Sequence, residues 1–135
     1  MNLLLDTNTL SYILKGRAVV LERLERAIRA ECTFLLGSVA HYELIRYLDL
    51  KRASRLLRLY QELVSTWEPC DLSFDDWVEA ARLWAERHRA GRAISDLDLL
   101  LAVLARKHGA VLVTSNLRHF DDLGIPLEDW TAPLS

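Results

Sequence analysis

The chain has little of what builds a disulfide scaffold, a fibre or a membrane span. Cysteine occurs only at Cys32 and Cys70, without the spacing of a metal knuckle, and two isolated thiols read as reduced core residues of a cytoplasmic protein. Three prolines and five glycines in 135 residues form no Pro/Ser linker, repeat or low-complexity tract. No apolar run approaches the roughly 20 residues that cross a bilayer. No basic residue precedes Leu3, Leu4 and Leu5, so neither a secretory leader nor membrane attachment is expected. No glycine-rich loop follows an apolar run, which argues against a phosphate cradle of the nucleotide-binding kind. Excess charge is also missing, since the formal net charge is −2. That total still hides seventeen basic residues, mostly arginine and many between Lys15 and Arg58, so a basic face beside a group of acids is compatible with it.

What is present is a 51% apolar, 27% charged chain, long enough for one domain, residues 1–135, with a substantial core. Leu3–Leu5 is a short continuous apolar run, the mark of a strand buried on both faces. Thr7 or Asn8 caps a helix through Leu14 that Gly16 stops. Val20, Leu21, Leu24, Ala27 and Ile28 fall at helical spacing within 19–30. Thr33–Leu36 is a second apolar strand, followed by a helix from Ser38 carrying Val39, Tyr42, Leu44, Ile45 and Leu48. A further helix spans about 51–65, and Pro69 limits 66–70 to an edge strand at best. Ser73 with Asp76 is a capping box opening a helix to about Ala90. Ser95 or Asp96 opens a leucine- and alanine-rich helix to Ala105, apolar nearly all round. Val111–Thr114 is a strand, 117–123 a turn or short helix, and Pro126–Trp130 a last extended piece. Strands alternating with helices predict an α/β sandwich on a parallel sheet, with more helix than strand.

In such sheets the functional crevice lies beyond the carboxyl ends of the strands. Asp6 follows the first strand directly, and Glu43 sits in the second turn of the helix after the second. Asp96 and Asp98 occupy the first turn of the apolar helix, and Thr114 and Asn116 follow the fourth strand. Each has a local explanation: Asp6 as a helix cap, Glu43 as partner of Arg46, Ser95 with Asp98 as a capping box, Thr114–Asn116 as a turn. None explains why the acids gather at one edge. Carboxylates crowded into a partly dry crevice repel one another, and either raised pKa values or a bound cation relieves this. No Lys or Arg is interleaved among them, so a divalent cation is the cheaper remedy. Oxygen donors without His or Cys favour Mg²⁺ or Mn²⁺ over zinc, and such ions commonly act on phosphates.

Four stretches carry a resemblance. "LLDTNTLSYILKG" near the N-terminus, "SVAHYELIRYL" at 38–48, "ISDLDLLLAVLA" at 94–105 and "LVTSNLRHFDDL" at 112–123 resemble, in order and spacing, the motifs of PIN-domain ribonucleases. The branch most similar is the VapC-type toxins of toxin–antitoxin pairs, and the likeness continues to "LEDW" at 127–130. The resemblance implies a PIN-like three-layer sandwich with a short parallel sheet of four to five strands. It also implies an Mg²⁺- or Mn²⁺-dependent endoribonuclease that cuts tRNA or ribosomal RNA, arrests translation, forms a homodimer and is silenced by a small antitoxin.

The family acids fall on Asp6, Glu43 and Asp98, expected to hold the metal, with Asp96 in a supporting role. The fourth polar position is Asn116, where other branches carry aspartate, which leaves one charge fewer for a second metal. Thr114 and Asn8 are expected to hydrogen-bond around the acids, and Arg17, Arg46, Arg92, Arg118 and His119 to grip the RNA backbone. The hydrolytic route implies a 5′-phosphate product. A haloacid-dehalogenase-type phosphatase is excluded because Asn8 stands where its second aspartate is required. The rival is a catalytically inactive PIN fold kept for RNA or protein binding, which loss of one of the three core acids would favour; all three are present.

Overall fold

The computed structural model describes residues 1–133; Leu134 and Ser135 lie outside the described residues. Five strands, β1 (Asn2–Leu5), β2 (Thr33–Gly37), β3 (Glu68–Cys70), β4 (Val111–Val113) and β5 (Leu127–Glu128), pair in the order β3-β2-β1-β4-β5. Every pairing is parallel. The apolar run Leu3–Leu5 forms the centre, with Leu4 opposite Leu35 on one side and Leu112 on the other, and all three leucines buried. That is why its sequence reads as continuous rather than alternating. Pro69, which has no N–H to donate, lies in β3 at the sheet's edge, the position open to it.

Among the described residues seven helices link and flank the strands: α1 (Thr7–Leu14), α2 (Ala18–Arg29), α3 (Ser38–Leu50), α4 (Ser54–Leu63), α5 (Phe74–Arg89), α6 (Asp96–Lys107) and α7 (Leu117–Phe120). The α/β sandwich read from the sequence is the observed architecture. The helix expected over 51–65 is shorter because Arg52 adopts a left-handed φ of 51° that breaks the turn before Ser54. Ser73 and Asp76 form the anticipated capping box. Leu99 and Leu101–Ala105 are all buried, as the all-round apolar pattern of α6 predicts. The sheet packs tightly against α6: a Cβ built on Gly37 would stand 2.8 Å from Leu4 Cδ1 and 3.5 Å from Leu104 Cδ1.

Cys70 is buried, which pushes its thiol pKa up, and Cys32 is half-buried; both are free. Tyr60 is wholly buried, its hydroxyl 2.7 Å from His41 Nδ1, and burial pushes its pKa up to about 12. No described helix is long and apolar enough to cross a membrane.

Candidate active site

The carboxyl ends of β1, β2 and β4 converge on one edge of the sheet, and Asp6 lies at its centre. Its backbone N–H donates to the Val113 carbonyl at 3.0 Å, tying the end of β1 to β4. Its side chain caps α1, accepting from the Thr9 N–H at 2.8 Å. Asp6 is therefore a helix cap, and it is also a carboxylate only 6% exposed. Burial raises its pKa; hydrogen bonds from Thr114 and Thr9 pull it down, and the negative charge of Asp98 pushes it up again. The hydroxyl of Thr114, itself fully buried, also accepts the Asn116 N–H at 3.0 Å, so 114–116 is a side-chain-closed turn that packs Thr114 against the acid.

Asp98 stands in the first turn of α6. Its N–H donates to Ser95 Oγ at 3.3 Å, which is half of a capping box. Its carboxylate does not complete the box. It accepts instead from His119 Nδ1 at 3.1 Å; a carboxylate can only accept, which assigns the proton to Nδ1. Beside it opens a cleft of about 380 Å³ lined by Ile94, Ser95, Arg118 and His119 among others. Asp96 is turned away. Two positions along a helix differ by about 200°, and Asp96 lines a separate groove with Trp77, Trp84, Leu99 and Leu100 of α5 and α6.

Glu43 stands apart from these two. Its carboxylate accepts from the Thr7 hydroxyl, one residue beyond Asp6. It borders a groove of about 610 Å³ lined by Thr7, Asn8, Ser11, Lys15, Arg46 and Tyr47 with neighbouring leucines. Arg46, its supposed ion-pair partner, instead stacks its guanidinium 5.0 Å above the Tyr42 ring and donates to that hydroxyl at 3.3 Å. Tyr42 is 57% exposed, so α3 is less buried around Glu43 than its apolar neighbours in sequence suggest.

Of the proposed RNA-gripping residues, Arg46, Arg118 and His119 line grooves at this edge, and Arg17 is exposed above the Tyr12 ring at 4.7 Å. Arg92 is engaged by Asp122 at 2.7 Å and Asp121 at 3.8 Å. Two residues the sequence reading passed over, Arg87 and Asp122, belong to the same cluster. Only an arginine in the last turn of α5 and the paired acids of "FDDL" hinted at it.

Among the described residues no group of three or more His, Cys, Asp or Glu side chains is gathered closely enough to hold a metal ion. What fits a divalent cation is the pair Asp6 and Asp98. Both offer oxygen, and their mutual repulsion raises the Asp6 pKa, an effect a cation reverses. Mg²⁺ keeps several waters and takes one or two carboxylates, so this pair suffices.

A parallel α/β sheet with a buried aspartate at the end of its central strand, an acid in the first turn of the buried helix that precedes β4 and a closed polar turn after β4 defines a class of acidic-crevice folds. The family model of the PIN domain matches residues 3–125. The chain belongs to the PIN-domain family. It is 30% identical over 130 residues to the tRNA(fMet)-specific endonuclease VapC of Salmonella typhimurium, covering 94% of this chain and 96% of that one. Among solved structures it is similar to VapBC2 from Rickettsia felis bound to a DNA fragment from the pair's promoter, with TM-score 0.85 and 26% identity over 96% of this chain and 99% of that one. The DNA-bound VapBC of Salmonella typhimurium gives TM-score 0.83 and 28% identity, over 96% and 98% respectively.

Proposed function

We propose that the protein is a metal-dependent endoribonuclease of the VapC type that hydrolyses phosphodiester bonds of a cellular RNA. The observation that carries this is Asp6, a buried carboxylate at the end of the central strand whose protonation responds to Asp98. The name of the Salmonella relative supports a tRNA substrate, with ribosomal RNA as the alternative, and cleavage of either halts translation. The likeness to two VapBC complexes supports a small cognate antitoxin as partner in the cytoplasm. The working unit in this reading is a homodimer, and the exposed Phe74, Trp77, Val78 and Trp84 of α5 supply apolar surface for assembly.

Asp6 and Asp98 would hold Mg²⁺ or Mn²⁺, with Glu43 joining through water or by leaving Thr7. Such a cation supplies charge against the scissile phosphate and acidifies water for attack. The chain's own groups do the rest. Thr9 and Thr114 hold Asp6 in one orientation, and Ser95 and His119 do so for Asp98. Asn116 and Arg118 stand beside the crevice to receive phosphate oxygens, and Asn8 and Arg46 border the groove on the Glu43 side.

The test is cleavage of total tRNA by purified protein with Mg²⁺ or Mn²⁺ and with EDTA, beside Asp6→Asn, with the ends mapped. Cleavage that needs the ion, leaves 5′-phosphates and vanishes in the variant is expected. RNA binding without cleavage in any metal would overturn the reading in favour of an inactive binding fold. Thermal melts with Mn²⁺ add a second readout: a Tm rise in wild type that Asp6→Asn lacks.

A further inference from the structure

The α5–α6 connection and the segment after α7 are joined by a charge cluster that neither capping nor core packing requires. Helix α5 ends in a two-bond reverse turn: Gly91, at φ 69°, donates to the His88 carbonyl, and the Arg92 N–H reaches back to the Arg87 carbonyl at 2.8 Å. The Arg87 side chain, 8% exposed, closes a second ring on the same turn by donating from Nε to the Arg92 carbonyl at 2.9 Å. Its Nη1 donates to Asp122 Oδ1 at 2.6 Å, and Arg92 Nη1 reaches Asp122 Oδ2 at 2.7 Å. Both oxygens of Asp122 are thus taken by two arginines from the connection that leads into α6.

Asp122 lies three residues after His119, whose ring holds Asp98, and Asp98 is bonded to Ser95 a few residues beyond Arg92. The links close on themselves: Arg87, Asp122, the α7 segment, His119, Asp98, Ser95, and back along the connection. Arg87, Ser95, Asp98 and His119 of this ring line the 380 Å³ cleft.

We infer that Arg87 and Asp122 are positioning residues that fix the Asp98 carboxylate by locking the α5–α6 connection to the α7 segment. Stability alone does not call for an ion pair here. Arg87 is buried but Asp122 is exposed, and an ion pair open to water on one side contributes little, while burying the arginine costs hydration. What the guanidinium adds is direction. Its fork serves a carbonyl and a carboxylate at fixed angles, which lysine or an apolar chain does not. Charge also distinguishes the role: Arg87 and Arg92 are balanced by Asp122 and Asp121, and among the described residues Arg118 is the arginine of the cleft outside the cluster, so the cluster orients rather than attracts RNA.

The proposal rests on the nuclease reading for its kinetic arm and on geometry alone for its structural arm. The test uses full-length Arg87→Met/Asp122→Leu, with Arg87→Lys as a second variant in case the apolar pair does not fold. Two quantities are measured: the kcat and KM of RNA cleavage, and hydrogen exchange of the Asp98 amide that Ser95 Oγ receives. In a variant whose Tm matches wild type, kcat is expected to fall about a hundredfold with KM within about twofold, since misplacing a reacting group by an ångström has that effect. The Asp98 amide is expected to exchange about tenfold faster, as local opening becomes easier. Wild-type kcat and wild-type exchange in either folded variant overturn the inference. If the wild type cleaves no RNA, the nuclease reading fails, and the exchange result alone still decides whether the cluster holds Asp98.

Discussion

On the β4 side of Asp6 the acid of α6 is held at both its amide and its carboxylate, whereas on the β2 side Glu43 is held by one hydroxyl. Asp98 is bonded at its amide by Ser95 and at its carboxylate by His119, and the ion cluster braces both of those segments. Glu43 has Thr7, a half-exposed environment and a wide groove with Lys15 and Arg46 on its rim. The difference teaches a division of labour. Under the proposed nuclease reading, Asp6 and Asp98 would be the preorganised pair that a hard cation requires, and Glu43 the acid free to change partners when ion or RNA arrives.

The largest effect that can break this comparison comes from neutralising each acid in turn. Asp6→Asn and Asp98→Asn are expected to lower kcat on the order of a thousandfold, because each removes half of the pair that would hold the ion. Glu43→Gln is expected to cost about ten- to thirtyfold, in the range typical of groups that act through others on a metal site. Single-turnover cleavage of one tRNA substrate at fixed Mg²⁺ measures all three. Equal losses for all three would make Glu43 as much a part of the preorganised site as Asp98.

How much of this was legible in the sequence differs between the same two flanks. The strands and α6 could be read because a buried parallel sheet and a helix apolar all round leave continuous hydrophobic runs, as at Leu3–Leu5 and Leu99–Ala105. Asp6 and Asp98 could be placed because strand ends and helix starts are local signals. The pairing of Glu43 with Thr7, thirty-six positions away, could not, since nothing local prefers it to Arg46 at helical spacing. Asp96 reads in the sequence as a supporting acid beside Asp98, and helical rotation instead turns the two into different grooves. Arg87 and Asp122 were invisible for a third reason: an ion pair between distant segments, even with its arginine buried, has the same sequence appearance as two solvated charges.

A smaller effect sharpens the comparison through the hydroxyls that hold each acid. Ser95→Ala removes the acceptor for the Asp98 amide and is expected to cost about 1 kcal/mol of stability, the usual price of a lost helix cap. Its kcat is expected to fall with it. Thr7→Val removes the donor to Glu43, where water has access to replace it, and is expected to change stability by no more than about 0.5 kcal/mol. Urea denaturation of the two variants beside wild type reads the difference. A Thr7→Val loss as large as that of Ser95→Ala would mean that the Glu43 flank is as firmly built as the other.

The subtlest consequence concerns the acid at the junction of the two flanks. Burial raises the Asp6 pKa above its ordinary value of 3.8, so the folded state holds this proton when the unfolded chain has already released it. As pH rises through the raised value the fold therefore loses stability, and above it the charged carboxylate is a constant burden on the ion-free protein. Asparagine at the same position keeps the helix cap, being as good a cap as aspartate, and never carries the charge. In EDTA, Asp6→Asn is thus expected to melt at a higher temperature than wild type near pH 7, with the gap closing as pH falls toward 4. Saturating Mn²⁺ should shrink or invert the gap, because only the wild type gains stability from binding. An inactive variant that is also less stable at every pH would show that Asp6 is held for the fold. One that is more stable, but only where the carboxylate is ionised and no cation is present, would show that the fold tolerates a buried charge at its centre for the sake of the chemistry.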